Sequence, residues 1–337
     1  MAPRVAATHG AYDGSVETPD ISVVVPTLRR LDALERCLAA LVAQDFEGKR
    51  FEIIVADAGH ETAVRQIVGR WAMLAHGAPL IRYIPAELQG PAAARNLGWR
   101  AAHGEVIAFT NDESVPRRNW LTEGWKAMSS GATAAAGVVE GANNGAAEAE
   151  LDAERAGDPG ISAANWFVQR QALRAVGGFD ERFTSAWDDA RDLQFTLAEV
   201  SGLLVSAPSA IVERPERRGG WDATLHQYRR ILFDALLFKK HRRLYRERVR
   251  GSAPWSYYAI VAALILIVAG AFARVPALAW AGLIAWTALT GHLIVRRARA
   301  AHGRGNLGEI VATSVAIPPI AIFWRLAGAL RFRVFFL

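Results

Sequence analysis

The stretch AARNLGWRAAHGEVIAFTNDESVP, Ala93 to Pro116, decides the fold. Val106 to Phe109 is an unbroken apolar run, as in a strand buried on both faces of a parallel sheet, and a helical pattern over Ala92 to Ala102 precedes it. The strand delivers Asn111, Asp112 and Glu113 to its carboxyl end, the edge at which open α/β sheets bind ligands. Acids there suit a nucleotide diphosphate and its metal, because a hard divalent cation takes oxygen ligands and offsets phosphate charge. An isolated acidic triplet is more often a solvated turn, so the surrounding chain has to decide between the two.

Upstream, the β-branched run Ile21 to Val25 is closed by Pro26, and Leu31 to Ala43 follows with Leu34, Leu38, Leu41 and Val42 on one helical face. FEIIVADAGH, Phe51 to His60, supplies a second strand ending at Asp57. A helix over Thr62 to Leu74 and a strand over Leu80 to Ile84 lead into the opening stretch. Strands alternating with helices imply right-handed crossovers and an α/β, mainly parallel sheet flanked by helices. Neither GxGxxG after the first strand nor GxxxxGK[ST] is present, which disfavours a dinucleotide fold and a phosphate-binding loop.

The composition changes near Arg250. SYYAIVAALILIVAGAFA, Ser256 to Ala273, and VPALAWAGLIAWTALTGHLIV, Val275 to Val295, are uncharged and separated by Arg274 alone. Each approaches the ~20 residues that cross a ~30 Å hydrocarbon core, so the pair reads as an α-helical membrane hairpin. KKHRRLYRERVR (Lys239 to Arg250) and RRARAAHGRG (Arg296 to Gly305) flank it, and the positive-inside rule places the soluble domain and both flanks in the cytoplasm, on a multi-pass inner-membrane protein. The formal charge of +6 collects in these flanks and in RLAGALRFR near the end. Basic clusters beside apolar spans suit anionic headgroups better than nucleic acid. Ile310 to Trp324, with Pro318 and Pro319, reads as a kinked third span or as an interfacial helix, and the arginine–aromatic alternation after it favours the second. So few spans, without intramembrane acids, argue against a transporter. The single cysteine, Cys37, allows no intramolecular disulfide and fits a reducing compartment. Residues 1–19 read as a disordered tail, 20–224 as the catalytic domain, 225–254 as amphipathic interfacial helices, 255–296 as the hairpin, and 297–337 as a basic loop with the third segment. Gly131 to Ala149 reads as a loop or lid.

VVVPTLRR, the strand ending at Asp57, AARNLGWRAAHGEVIAFTNDESVPRRNWL and NWFVQRQALRAVGGFDERF, in that order over Ile21 to Tyr245, resemble the inverting glycosyltransferases of family 2, with the GT-A fold. The resemblance implies that Pro26 and Thr27 line the nucleotide pocket, that Asp57 bonds base or ribose, and that Arg95 approaches the nucleotide. The family's DxD motif falls on Asn111, Asp112 and Glu113, with Glu113 at the metal position beside Asp112 and with Asn111 or Asp112 near the ribose. Mg²⁺ or Mn²⁺ is the implied cofactor. GGFDERF, Gly177 to Phe183, resembles the turn before the acceptor site.

Inversion is a single displacement, so one carboxylate must deprotonate the acceptor hydroxyl. The family carries that base in a Glu-Asp-x-Asp segment, here TSAWDDARDLQFTL. Aligned on its Asp-Leu end, Ala190 occupies the base position, and a one-residue slip restores Asp189; the order of candidates is Asp189, Asp188, Asp192. Periodicity offers a plainer account, in which all three cap and solvate the first turn of a helix whose apolar face holds Leu193 and Leu197. Where processive relatives carry Gln-x-x-Arg-Trp, the chain has Gln227 and Arg230 but Ile231, which argues against long-chain synthesis. Leu225, Tyr228, Ile231, Leu232, Leu236 and Phe238, with Arg229, Arg230, Lys239 and Lys240, read as a helix lying on the membrane and presenting arginines to diphosphate or lipid phosphate. Trp187 and Trp166 are candidates for stacking on sugar or for core packing. The implied partners are a nucleotide-diphospho-sugar, a lipid-linked or envelope-glycan acceptor, membrane lipid and possible further copies of the chain. A degenerate nucleotide-binding or scaffold protein is the alternative, favoured by Ala190 and Asn111.

Overall fold

The structure, a computed structural model, describes residues 18–86, 90–141, 164–184, 188–200, 202–214, 228–300 and 307–335. Trp187, Gln227, Leu225, the tail up to residue 17 and the Ala/Gly-rich stretch from residue 142 onward lie outside them.

Four apolar runs become parallel strands: β1 (Ile21–Thr27), β2 (Phe51–Asp57), β3 (Leu80–Pro85) and β4 (Val106–Thr110). β1 lies between β2 and β4, with Val24 level with Ile54 on one side and Phe109 on the other. Helices α1 (Leu31–Val42), α2 (Thr62–Leu74) and α3 (Pro91–Arg100) connect them. The two-residue period sends Val23, Val25, Ile53 and Val55 to the face covered by Leu34, Leu38 and Leu41 of α1 and Val64 and Val68 of α2. It sends Val24, Ile54, Ile107 and Phe109 to the opposite face, against Trp99 of α3.

Beyond β4 come β5 (Val115–Pro116), α4 (Trp120–Met128), β6 (Ala134–Glu140), β7 (Asn165–Gln169), α5 (Arg170–Val176), α6 (Asp188–Glu199) and β8 (Leu204–Glu213). The sheet order is β3-β2-β1-β4-β7-β6-β8-β5. β7 runs against β4 and β6, and β5 runs against β8, while the remaining strands point one way. The sheet is therefore mixed, with its parallel half holding the strand ends read from the sequence. Trp166 of β7 is fully buried against this sheet and acts as core packing.

The rest is helical: α7 (Ile231–Lys240), α8 (Arg242–Arg248), α9 (Trp255–Phe272), α10 (Pro276–Ala300) and α11 (Leu307–Arg331). Among the described residues, three helices are long and apolar enough to cross a membrane, at 255–272, 276–299 and 307–331. α9 and α10 form the hairpin, closed tightly enough at its tip that a Cβ on Gly270 would meet the Ala279 nitrogen at 2.5 Å. The third apolar stretch is one helix with Pro318 and Pro319 inside it.

One sequence reading is corrected here. α7 does not present an open apolar face: every residue from Leu232 to Phe238 is buried in protein. Phe183 and Phe195 pack on it from the sheet domain, and Trp324, Ala327 and Phe332 pack on it from the C-terminal segment. The reason is compositional, because Leu232, Phe233, Leu236, Leu237 and Phe238 surround the helix with apolar side chains, and such a helix is enclosed rather than half-exposed.

Candidate active site

β1 and β4 are neighbours, so their carboxyl ends put Thr27 beside the loop that holds Asn111, Asp112 and Glu113. The Thr27 hydroxyl donates to Asp112 Oδ2 at 2.9 Å. Arg30, at the entrance to α1, reaches Glu113 Oε2 at 2.5 Å and Asp112 Oδ1 at 3.6 Å. Arg214, the residue after β8, pairs with the other oxygen of Glu113. Asp112 and Glu113 are both buried. Burial raises the Asp112 carboxyl above its usual range, and Glu113 adds to this, against the opposing pull of Arg30 and Thr27. Pro26 is half-buried on the same strand end.

Arg95 joins this loop to the base segment. Its guanidinium is 1% exposed and pairs with Asp189, which is 0% exposed, while its second terminal nitrogen donates to Asn111 Oδ1 at 3.2 Å. The Phe179 ring lies 5.6 Å from the guanidinium carbon. Asn96, the next residue, clamps the GGFDERF turn: it donates to the Phe179 carbonyl at 2.8 Å and to Glu181 at 2.8 Å, and accepts from the Phe179 N–H at 2.9 Å. α3 thus fastens the turn before α6 and holds Asp189 through adjacent residues.

The three candidate acids of α6 separate. Asp188 and Asp189 are buried in its first turn, with Asp189 Oδ1 also accepting the Ala190 N–H at 2.9 Å. Asp192 faces elsewhere: Lys240 donates to it at 2.7 Å, and His241 lies 3.1 Å away and also contacts Glu199 at 2.9 Å. Lys240 further binds Asp180 at 2.8 Å. Burial by itself pushes Asp180 up, but the hydrogen bonds from Arg182 and Lys240 outweigh it and hold the carboxyl well below the usual range.

Asp57 is fully buried, and its oxygens accept the Gly59 N–H at 2.8 Å, the Glu61 N–H at 2.8 Å and the Tyr83 hydroxyl at 3.0 Å. Burial and this carboxylate push Tyr83 up to about 12. Asp57 therefore shapes the turn after β2. Arg229 lies over the Trp324 ring at 5.5 Å, and Arg230 is the N-cap of α7. Arg30, Arg214 and Asn96 were missed by the sequence reading. Arg30 stood in the quoted VVVPTLRR, whereas Arg214 lies 101 positions from the acid it pairs with.

The described residues hold no group of three or more His, Cys, Asp or Glu side chains arranged for a metal. A divalent cation here would draw on Asp112 and Glu113 and would take its remaining oxygens from diphosphate and water, as Mg²⁺ does at phosphate sites. The oxygen donor set fits a hard cation, with Arg30 and Arg214 sharing or releasing Glu113.

Residues 22–183 fit the family model described as glycosyl transferase family 2. Glycosyltransferase AglE of Haloferax volcanii is 26% identical over 181 residues, half of this chain and 59% of that protein. The GalNAc(5)-diNAcBac-PP-undecaprenol beta-1,3-glucosyltransferase of Campylobacter jejuni is 33% identical over 97 residues, 28% of this chain and 30% of that one. The chain thus spans less than two thirds of either relative. Among solved structures, the mannosyltransferase PcManGT of Pyrobaculum calidifontis, in complex with GDP-Man and Mn²⁺, superposes with a TM-score of 0.56 at 20% identity, covering 94% of this chain and 87% of that one. The sheet domain has the GT-A fold, and residues 22–183 are a glycosyl transferase family 2 domain.

Proposed function

We propose that the protein is a membrane-anchored inverting glycosyltransferase that moves a sugar from a nucleotide-diphospho-sugar to a lipid-linked or envelope-glycan acceptor at the cytoplasmic membrane face. The observation that carries this reading is the bridge made by Arg95, one buried guanidinium shared by the acid-bearing loop after β4 and the candidate base Asp189. Donor diphosphate and acceptor hydroxyl have to meet between two such elements. The apolar hairpin supports an amphiphilic acceptor, since confinement to one surface raises effective concentration. The undecaprenol-linked substrate named for the Campylobacter relative has the same chemistry.

Asp189 is the base in this proposal and accepts the acceptor proton. Diphosphate entering beside Arg95, Arg30 and Arg214 gives these cations a second anionic partner, so that Asp189 gains an oxygen for the hydroxyl and Glu113 gains one for the cation. Charge-assisted hydrogen bonds from the arginines to phosphate oxygens then favour departure of the nucleoside diphosphate. Glu113 and Asp112 would hold Mg²⁺ or Mn²⁺, which when bound offsets charge developing on the leaving group. A second reading, a nucleotide-binding protein without turnover, is favoured by the full occupation of Glu113 by arginines and by the ion pair on Asp189.

Detergent-purified protein with UDP-, GDP- and dTDP-sugars, Mg²⁺ or Mn²⁺ and a polyprenyl phosphate tests the two. Acceptor-dependent release of nucleoside diphosphate that is lost in Glu113→Gln is the expected result. Donor binding with no release across the panel, with membrane extract added as acceptor source, would replace the enzyme by the binding protein.

A further inference from the structure

We infer that α11, although long and apolar enough to cross a bilayer, lies flat in the headgroup–acyl boundary on the domain side and presents one apolar stripe to lipid. Two independent observations lead there. The first is where its ends are fixed. Near its start, Thr313 and Ser314 accept hydrogen bonds from Arg297 at 2.9 and 2.8 Å. Arg297 lies near the end of α10, far from the hairpin tip where Gly270 meets Ala279. Its middle, Ile317, Ala321 and Ile322, clusters with Tyr257 and Ile260 from the first turns of α9, Leu293 from the last part of α10, and Tyr228, and Leu289 and Trp286 of α10 pack on the same cluster. Its end is pressed on α7, where a Cβ on Gly328 would meet the Leu232 carbonyl oxygen at 2.4 Å, and the Lys239 ammonium donates to the Phe332 carbonyl at 2.9 Å. Its first part is therefore fixed near the base of the hairpin and its end on the helix that seats the hairpin on the sheet domain. A helix parallel to α9 would instead contact it at successively greater depth.

The second observation is its one-sidedness. Leu307, Val311 and Val315 in its first part and Phe323, Leu326 and Leu330 in its last part are exposed on one side of the helix, on either side of a buried or half-buried middle at 316–322. The opposite face, with Ile310, Ser314, Ile317, Ala321, Arg325 and Gly328, is buried on protein. A span in the same bilayer exposes side chains all round, as α9 and α10 largely do: only 22% and 17% of their apolar windows are buried, against 44% for α11. The hairpin on which α11 packs is itself apolar and largely exposed, which makes bilayer the occupant of the stripe. The chain then has two spans, with residues on either side of the hairpin facing the same compartment. α11 also rests on α7, whose Lys240 holds Asp192 of α6, so the membrane surface lies one helix layer from the candidate base segment.

Single cysteines test this in the full-length protein, because native Cys37 is fully buried and stays silent. Val311→Cys, Phe323→Cys and Leu330→Cys, each carrying a small fluorophore, are reconstituted in vesicles of phosphatidylethanolamine and phosphatidylglycerol containing lipids brominated at defined depths. All three are expected at one shallow depth, roughly 5–10 Å below the headgroups. In parallel, Arg333→Cys and Met73→Cys in oriented membrane vesicles should react with an impermeant maleimide from the same side, and Arg274→Cys from the opposite side. Quenching that is deepest at position 323, with Arg333→Cys reacting alongside Arg274→Cys, would make α11 a third span and overturn the inference. Absence of lipid quenching at all three positions, as when a second copy covers the stripe, would overturn it too. None of these readouts depends on glycosyl transfer.

Discussion

Arg95 holds together two parts of the chain that local sequence cannot bring into contact, and its removal strands the buried carboxylate of Asp189. Breaking a buried pair by deleting one partner costs about 3–5 kcal/mol. Arg95→Ala is therefore expected to show that loss in chemical unfolding, whereas a cost under about 1 kcal/mol, typical of an exposed pair, would remove the bridge from the account. Asp112 predicts a pH effect of opposite sign to Asp180. Its carboxyl is raised by burial, so the folded state binds a proton more tightly than the unfolded chain, and stability falls as pH rises from the unfolded value through the raised one. Asp112→Asn should accordingly raise the melting temperature of the ligand-free protein at neutral pH while weakening Mn²⁺-dependent donor binding; a lower melting temperature would contradict the assignment. Asp180 is held low, so its contribution is present above the unfolded value and is lost as acid protonates it. At this scale Asn111, Asp112, Glu113 and Arg95 were legible as motif positions. Arg214 was not, because a pairing across 101 residues leaves no mark in spacing.

Asn165 of β7 shows how the sheet closes. Its amide accepts from the Trp120 indole at 2.8 Å and donates to the carbonyls of Val138 and Ala210, also at 2.8 Å, tying α4, β6 and β8 together from a fully enclosed position. Asn165→Leu leaves these groups unsatisfied at about 1–3 kcal/mol each, so the folding yield of the whole chain should fall, as read by near-ultraviolet dichroism. The parallel strands β1 to β4 could be read because apolar runs and intervening helices are local signals. β6, β7 and β8 could not, since their pairings, antiparallel at β7 and parallel between β6 and β8, depend on partners far along the chain. α7 was misread because periodicity reports apolar residues without telling lipid from protein as their neighbour. α6 carries two kinds of acid: Asp189 faces Arg95, and Asp192 faces Lys240 and His241. Asp192→Asn is expected to loosen α7 from the sheet domain, read as faster proteolysis near residue 240, while leaving the transfer step within about tenfold of wild type, because it lies outside the acid–arginine cluster.

At the scale of the molecule, the sheet domain brings acids and arginines to one edge, α7 couples that domain to the membrane helices, and α9 with α10 anchors it. The direct test is transfer kinetics on membranes supplied with the active nucleotide-sugar, comparing wild type, Asp189→Asn and Asp192→Asn, with donor affinity measured in parallel. General-base removal predicts a fall in kcat of about 10²–10⁴ for Asp189→Asn with donor affinity retained, and near-normal turnover for Asp192→Asn. Unchanged turnover in Asp189→Asn, or an equal loss in both variants, would contradict the account.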